Sequence, residues 1–142
     1  MARIRVELPE TFQFSTEIEV TIGHINYGGH VGNDSMLTIV HEARIRYLES
    51  LGYSEKDVEG SGLILSDAAI EYKAECFRGD RLTIQVAVAD PGKYGCDLCY
   101  LVTKTGTEII AARVKTGVLF FDYGTRRPVS IPENFKVKTG LV

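Results

Sequence analysis

Gly23-His24-Ile25-Asn26-Tyr27-Gly28-Gly29-His30-Val31-Gly32-Asn33-Asp34 runs directly into Ser35-Met36-Leu37-Thr38-Ile39-Val40-His41-Glu42-Ala43-Arg44-Ile45-Arg46-Tyr47-Leu48-Glu49-Ser50-Leu51-Gly52. The first half carries four glycines among polar, aromatic and β-branched residues, which is the composition of a loop with unusual backbone geometry. In the second half Leu37, Val40, Arg44, Tyr47, Leu48 and Leu51 recur at three- and four-residue steps, so it is predicted to be one helix of about five turns. Asn33 or Asp34 is placed to cap it, and Gly52 to end it.

On the N-terminal side, Phe12, Phe14, Thr16, Ile18 and Val20 alternate with Gln13, Ser15, Glu17 and Glu19, the period of a half-buried strand. On the C-terminal side, Tyr53 to Gly62 reads as a short helical turn and a connection, after which the period becomes two. Ile64, Ser66, Ala68, Ile70, Tyr72, Ala74 and Cys76 are expected on one face, with Asp67, Glu71, Lys73 and Glu75 on the other. Turns at Arg78-Gly79-Asp80, Asp90-Pro91-Gly92 and Thr105-Gly106-Thr107 separate three further strands. The tail from Tyr123 reads as a loop in which Phe135 and Val137 add a last contact. One helix cannot cover both faces of such a sheet. The economical solution is α+β: a long central helix wrapped by a curved antiparallel sheet of five or six strands, with a face or edge left for a partner subunit.

The 142 residues suit a single domain, 1–142, and a chain of this size buries roughly 68–70% of its unfolded surface without staples. Sixteen Lys+Arg against nineteen Asp+Glu give a net charge of −3, so neither nucleic acid nor a membrane is the expected partner. Cys76, Cys96 and Cys99 are an odd set, consistent with a reducing cytoplasmic location. Cys96 and Cys99 have CxxC spacing, but in a strand they point to opposite faces, so no metal site is expected.

The loop concentrates His24, Asn26, Tyr27, His30, Asn33 and Asp34 beside a helix N-terminus. Unpaired N–H groups and a partial positive charge there suit a carbonyl oxygen that turns negative during acyl transfer. Gly29-His30-Val31-Gly32-Asn33, followed by Glu42-Ala43-Arg44, Tyr47-Leu48 and Leu51-Gly52, resembles the signature of the 4-hydroxybenzoyl-CoA thioesterase-like branch of the hotdog-fold superfamily. Glu71-Tyr72, Arg78-Gly79-Asp80-Arg81-Leu82 and Phe120-Phe121-Asp122 are similar to that family's sheet segments, so the likeness spans nearly the whole chain.

The resemblance implies a hotdog fold, a homodimer or homotetramer with sites at the subunit interface, and hydrolysis of acyl-CoA or acyl-carrier-protein thioesters with no cofactor beyond the coenzyme A of the substrate. It implies an aspartate three residues before the glycine of the Gly-His pair; this chain has Asn26 there. An amide has no proton that titrates near neutrality and cannot serve as base, though it can orient a water or a carbonyl. Other hotdog branches carry the carboxylate on the helix near the position of His41 or Glu42. The resemblance therefore makes Asn26, His30 and Glu42 the catalytic candidates, with His24, Tyr27, Gly29, Asn33 and Asp34 contacting substrate.

Each candidate has a structural alternative. Glu42 also suits an i,i+4 pair with Arg46, Asn26 a turn, and Arg44 an anchor between helix and sheet. Tyr27, Tyr47 and Phe77 are candidates for an acyl or aryl slot, and Arg78, Arg81, Lys93, Arg113 and Lys115 for phosphate contacts. Two other activities suit the same residues: an acyl-thioester hydratase or dehydratase built on a His with an acidic partner, and a non-catalytic acyl-CoA binding protein in which Asn26 disarms the site.

Overall fold

The computed structural model describes residues 2–141. Strand β1 (Phe14–Glu19) leads through a 3-10 turn (Ile22–His24) and the glycine loop into helix α1 (Ser35–Ser50). Strands β2 (Gly62–Tyr72), β3 (Arg81–Ala89), β4 (Gly95–Lys104) and β5 (Ile110–Asp122) follow, then a two-residue strand β6 (Arg127–Pro128) and helix α2 (Glu133–Thr139). The sheet is antiparallel in the order β1-β3-β4-β5-β2, with β6 pairing β5. It wraps around α1, the arrangement expected from the residues and the hotdog fold that the resemblance implies. The chain of turns suggested strands neighbouring in sequence order, but β2 leaves β3 and pairs with β5 at the far edge.

Helix α1 buries Met36, Ile39, Val40, Ala43, Arg44, Tyr47 and Leu48 against the inner sheet face. That face is built from Ile18, Leu82, Ile84, Leu98, Tyr100, Val114 and Phe120 among others. Gly52, with φ of 84°, ends the helix at the expected place, a conformation that costs glycine no Cβ clash. Arg44 is the anchor between helix and sheet. Its Nε donates to Glu55 Oε2 at 2.8 Å and its Nη1 to Tyr100 Oη at 3.5 Å, while Tyr100 Oη and Thr116 Oγ1 share a hydrogen at 3.0 Å. Burial acts to lower the Arg44 pKa, but these partners hold it above the ordinary value.

Four sequence expectations are corrected. Residues 53–62 form two successive tight turns, closed by the bridges Ser54↔Asp57 and Val58↔Ser61, and contain no helical turn. In β2 a bulge between Leu65 and Asp67 reverses the side-chain parity. Leu63 and Leu65 therefore stand opposite Phe120 and Val118, and Ala68, Ile70 and Tyr72 opposite Thr116, Val114 and Ala112; Ile64 leaves the face predicted for it. The bulge turns Asp67 over Gly117, whose N–H donates to Asp67 Oδ1 at 3.1 Å where a Cβ on Gly117 would stand 2.1 Å from the same oxygen. The strand also ends at Tyr72, short of Cys76.

The tail is helical. Phe135 of α2 packs edge-on against Phe120 at 5.0 Å and against Tyr53 at 6.2 Å, whereas Val137 is exposed. Tyr53 Oη and Asn134 Nδ2 both donate to Glu59 Oε2, fastening α2 to the tight turns. The outer sheet face is partly covered by the N-terminal arm, for which the residues set no expectation; its Val6 is buried and donates its N–H to Glu71 Oε1 at 3.1 Å. A short arm leaves no periodicity to read.

All three cysteines are free and buried. Cys96 stands opposite Val118 on the inner face and Cys99 opposite Lys115 on the outer one. Burial first, then Asp97, pushes their thiols up to about 12 and about 11, so both stay protonated at neutral pH.

Candidate active site

The glycine loop is folded back on itself. Ile25 and Val31 form an antiparallel bridge, Asn26 N–H donates to His30 O at 2.9 Å, and Gly29 turns the chain with φ of 84°. Asn26 Oδ1 accepts the Gly28 N–H at 2.9 Å, which engages the oxygen and leaves Nδ2 as a donor. His30 Nδ1 donates to Val31 O at 3.3 Å, and in the tautomer that makes this bond the lone pair is on Nε2. Asn26 Oδ1 and His30 Nε2 lie 3.3 and 3.4 Å from where a Cβ on Gly28 would stand, so the loop closes around a residue without a side chain.

Gly32 is the second floor tile. A Cβ there would stand 2.8 Å from Asp34 Oδ1 and 3.8 Å from Asn26 Nδ2. Asp34 is the N-cap of α1 but makes no side-chain capping bond, because its backbone is already right-handed helical at φ −75°, ψ −32°. Its carboxylate is thus available beside Asn26 at the positive end of the helix.

Two bonds bring this loop against the end of β2: Val31 N–H donates to Cys76 O at 2.8 Å, and Tyr72 Oη to Asn33 O at 2.6 Å. Between them lies a cavity of about 440 Å³ lined by Asn26, His30, Asn33, Met36, Tyr72 and Cys76 among others. Burial, with the nearby Asp34 charge, raises the Tyr72 pKa, so its hydroxyl remains a donor. Burial likewise pushes the Cys76 thiol up.

The structure brings Asn26, His30 and Asn33 to the cavity, while the exposed Asp34 stands beside Asn26 over Gly32 without lining it. Gly29 sits at the tip of the turn and Tyr27 points fully into solvent. His24 does not line the cavity: its Nδ1 accepts the Thr21 N–H at 3.0 Å and closes the 3-10 turn. Nor does Glu42, which is half exposed on the outer side of α1 and accepts from Arg46 Nε at 2.8 Å. The histidine that does have a carboxylate partner, His41 with Glu55 at 2.9 Å, belongs to the Arg44 network. Tyr47 lies in the core at 5.3 Å from Phe14, and Phe77 is exposed beneath Lys104. Met36, Tyr72 and Cys76 are lining residues that the sequence reading missed; the inward register of an aromatic at the end of β2 was the available signal. Among the described residues no three His, Cys, Asp or Glu side chains converge to hold a metal ion.

Residues 20–138 match the model of the thioesterase-like superfamily, and the chain belongs to that family. No curated protein matches it in sequence. Solved structures share its fold at low identity. The 1,4-dihydroxy-2-naphthoyl-CoA thioesterase of Synechocystis superposes with a TM-score of 0.81 at 22% identity, covering 89% of this chain and 95% of that one. A Staphylococcus aureus protein solved in complex with CoA gives 0.79 at 22% identity over 94% and 86%. The gentisyl-coenzyme A thioesterase BH1999 gives 0.75 at 17% identity over 87% and 98%. No helix among the described residues is long and apolar enough to cross a membrane.

Proposed function

We propose that this protein hydrolyses acyl thioesters of coenzyme A to a free acid and the thiol. The observation that carries the reading is a cavity at the start of α1 lined by Asn26, His30 and Asn33, with the Asp34 carboxylate standing beside Asn26 over Gly32. The thioester carbonyl takes its hydrogen bond from Asn26 Nδ2 and gains from the helix dipole as negative charge develops on oxygen. Asp34 accepts a proton from the attacking water, with His30 Nε2 as the second base of the site. Water oxygen bonds to the carbonyl carbon, the carbon–sulfur bond breaks, and the proton leaves with the thiolate.

Family membership and the CoA-related names of the structural neighbours support the substrate class, and the Gly29-His30 motif supports the 4-hydroxybenzoyl-CoA-like branch. In this reading the chemistry needs no cofactor. We assign the protein to a homo-oligomer assembled along β2, a strand of eleven residues at the sheet edge whose Leu65 and Tyr72 are exposed. Light scattering on the purified protein tests that assignment, a monomer at micromolar concentration refuting it.

Thiol release from short, long and aryl acyl-CoAs tests the activity. A second reading, acyl-CoA binding without turnover, is favoured by the Gly28 bond that engages Asn26 Oδ1 where the family has a carboxylate. Saturable binding with no thiol release, and hydrolysis gained by Asn26→Asp, decides for it.

A further inference from the structure

A second and larger depression begins where the acyl cavity ends. Tyr72 and Lys73 line both. The groove encloses about 1280 Å³ between the N-terminal arm and the end of β2, and Arg3, Arg5, Lys73 and Arg113 border it. Two carboxylates also line it, Glu7 and Glu71. Glu71 is already engaged, by Lys73 Nζ at 2.9 Å and by the Val6 N–H at 3.1 Å. Among the described residues Arg3, Arg5 and Arg113 have no carboxylate within 4 Å.

That gathering stands out in a chain whose net charge is −3. Of the other cations proposed from sequence, Arg81 is paired with Glu17 and Glu19, Lys115 with Asp97, and Lys93 lies over the Tyr94 ring, while Arg78 does not line the groove. Arg113 stands across the sheet from Glu71, which Lys73 already engages, and among the described residues Arg3 and Arg5 have no carboxylate partner, so the groove favours a ligand with several phosphates, because Arg binds phosphate oxygens bidentately. Ile4, exposed, adds apolar surface on which a base can lie.

We infer that this groove, bordered by the N-terminal arm, receives the phosphorylated nucleoside end of the coenzyme A substrate, while the acyl end lies in the smaller cavity. The inference rests on the thioesterase reading for the identity of the ligand. Its geometry does not require turnover.

The test is a kinetic comparison of wild type with Arg113→Gln and with the double variant Arg3→Gln/Arg5→Gln. With acyl-CoA, KM rises about ten-fold in each and kcat holds, which corresponds to roughly 1.4 kcal/mol of binding. With the N-acetylcysteamine thioester of the same acid, which lacks the nucleotide, rates are unchanged. Adenosine 3′,5′-bisphosphate competes with acyl-CoA on wild type and about ten-fold less well on the variants. Unchanged KM for acyl-CoA in both variants overturns the groove while leaving hydrolysis standing. If wild type hydrolyses neither thioester, titration calorimetry with adenosine 3′,5′-bisphosphate still decides: binding weakened by the variants upholds the groove, and absence of binding overturns it. Equal affinity for inorganic pyrophosphate overturns the nucleoside assignment.

Discussion

Tyr72 Oη donates to the carbonyl of Asn33 at 2.6 Å, joining the end of β2 to the residue before the helix N-cap across 39 positions of sequence. This bond holds one wall of the cavity at the start of α1 against the other. Removing it by Tyr72→Phe leaves the ring in place and frees a partly exposed carbonyl, so the melting temperature is expected to fall by only a few degrees, for about 1 kcal/mol. The kcat/KM for acyl-CoA is expected to drop several-fold, because the start of α1 loses its register with the cavity. Unchanged kinetics would show that packing alone aligns the walls.

The base is expected to be Asp34. Asp34→Asn should lower kcat by about 10²-fold, the range of general base catalysis, without changing the melting temperature appreciably. Glu42→Gln should leave kcat within about two-fold, since Glu42 is bound to Arg46 on the outer surface in a pair worth about 0.3–0.5 kcal/mol. Steady-state thiol release measures both, and the opposite ranking would move the base to the helix face.

Gly28→Ala is expected to impair activity more than stability. Its Cβ would stand 3.3 Å from Asn26 Oδ1 and 3.4 Å from His30 Nε2, pushing both site groups by a few tenths of an ångström. Displacements of that order matter for a positioned catalytic group. A thermal melt within a few degrees of wild type, beside a ten-fold or larger fall in kcat, is the expected pair of results.

Acid should unfasten α1 through Glu55. Burial alone would raise its pKa, but hydrogen bonds from His41 and Arg44 and the Arg44 charge hold it below the ordinary carboxylate value. The folded pKa is depressed, so its contribution to stability is complete above the unfolded value and is lost as pH falls through the folded one. Glu55→Gln should therefore be less stable than wild type at pH 7, and the gap should close as both are titrated into acid. Denaturant melts from pH 7 down to pH 3 check this; a constant gap would mean that the ionisation is irrelevant.

Phe135→Ala should cost about 3–5 kcal/mol, since the ring is buried between Phe120 and Tyr53 and nothing nearby refills the space. The melting temperature falls by roughly 2–4 °C per kcal/mol in a chain near this size. A fall of only a degree or two would show that α2 rests on the fold without supporting it.

Much of the fold was legible because the two periods are local. The steps through Val40, Arg44, Tyr47 and Leu48 mark one helix face, and the alternation from Phe12 to Val20 marks one strand face, whatever the chain does elsewhere. The contact of Phe135 was legible, but the helix that carries it and the arm were not, because a seven-residue helix and a single buried Val6 have too few turns to show a period. The reading of β2 held for Ala68, Ile70 and Tyr72 but failed before the bulge, where Leu63 and Leu65 take the inner face instead of Ile64, because one extra residue shifts the alternation. At the site, the glycine loop announced itself by composition. That Asp34 stands beside Asn26 while Glu42 pairs with Arg46 on the outer side of α1 depends on where α1 meets the sheet.

Composition, periodicity and the loop motif thus determined by themselves a helix wrapped by an antiparallel sheet and the stretch that carries the site, since each is a property of neighbours in sequence. Only the tertiary structure decided that β2 crosses to β5, that Tyr72 closes the cavity on Asn33, and that the arm's arginines gather beside Arg113. Those are long-range pairings, chosen by which apolar surfaces can be buried together, and no local pattern encodes them.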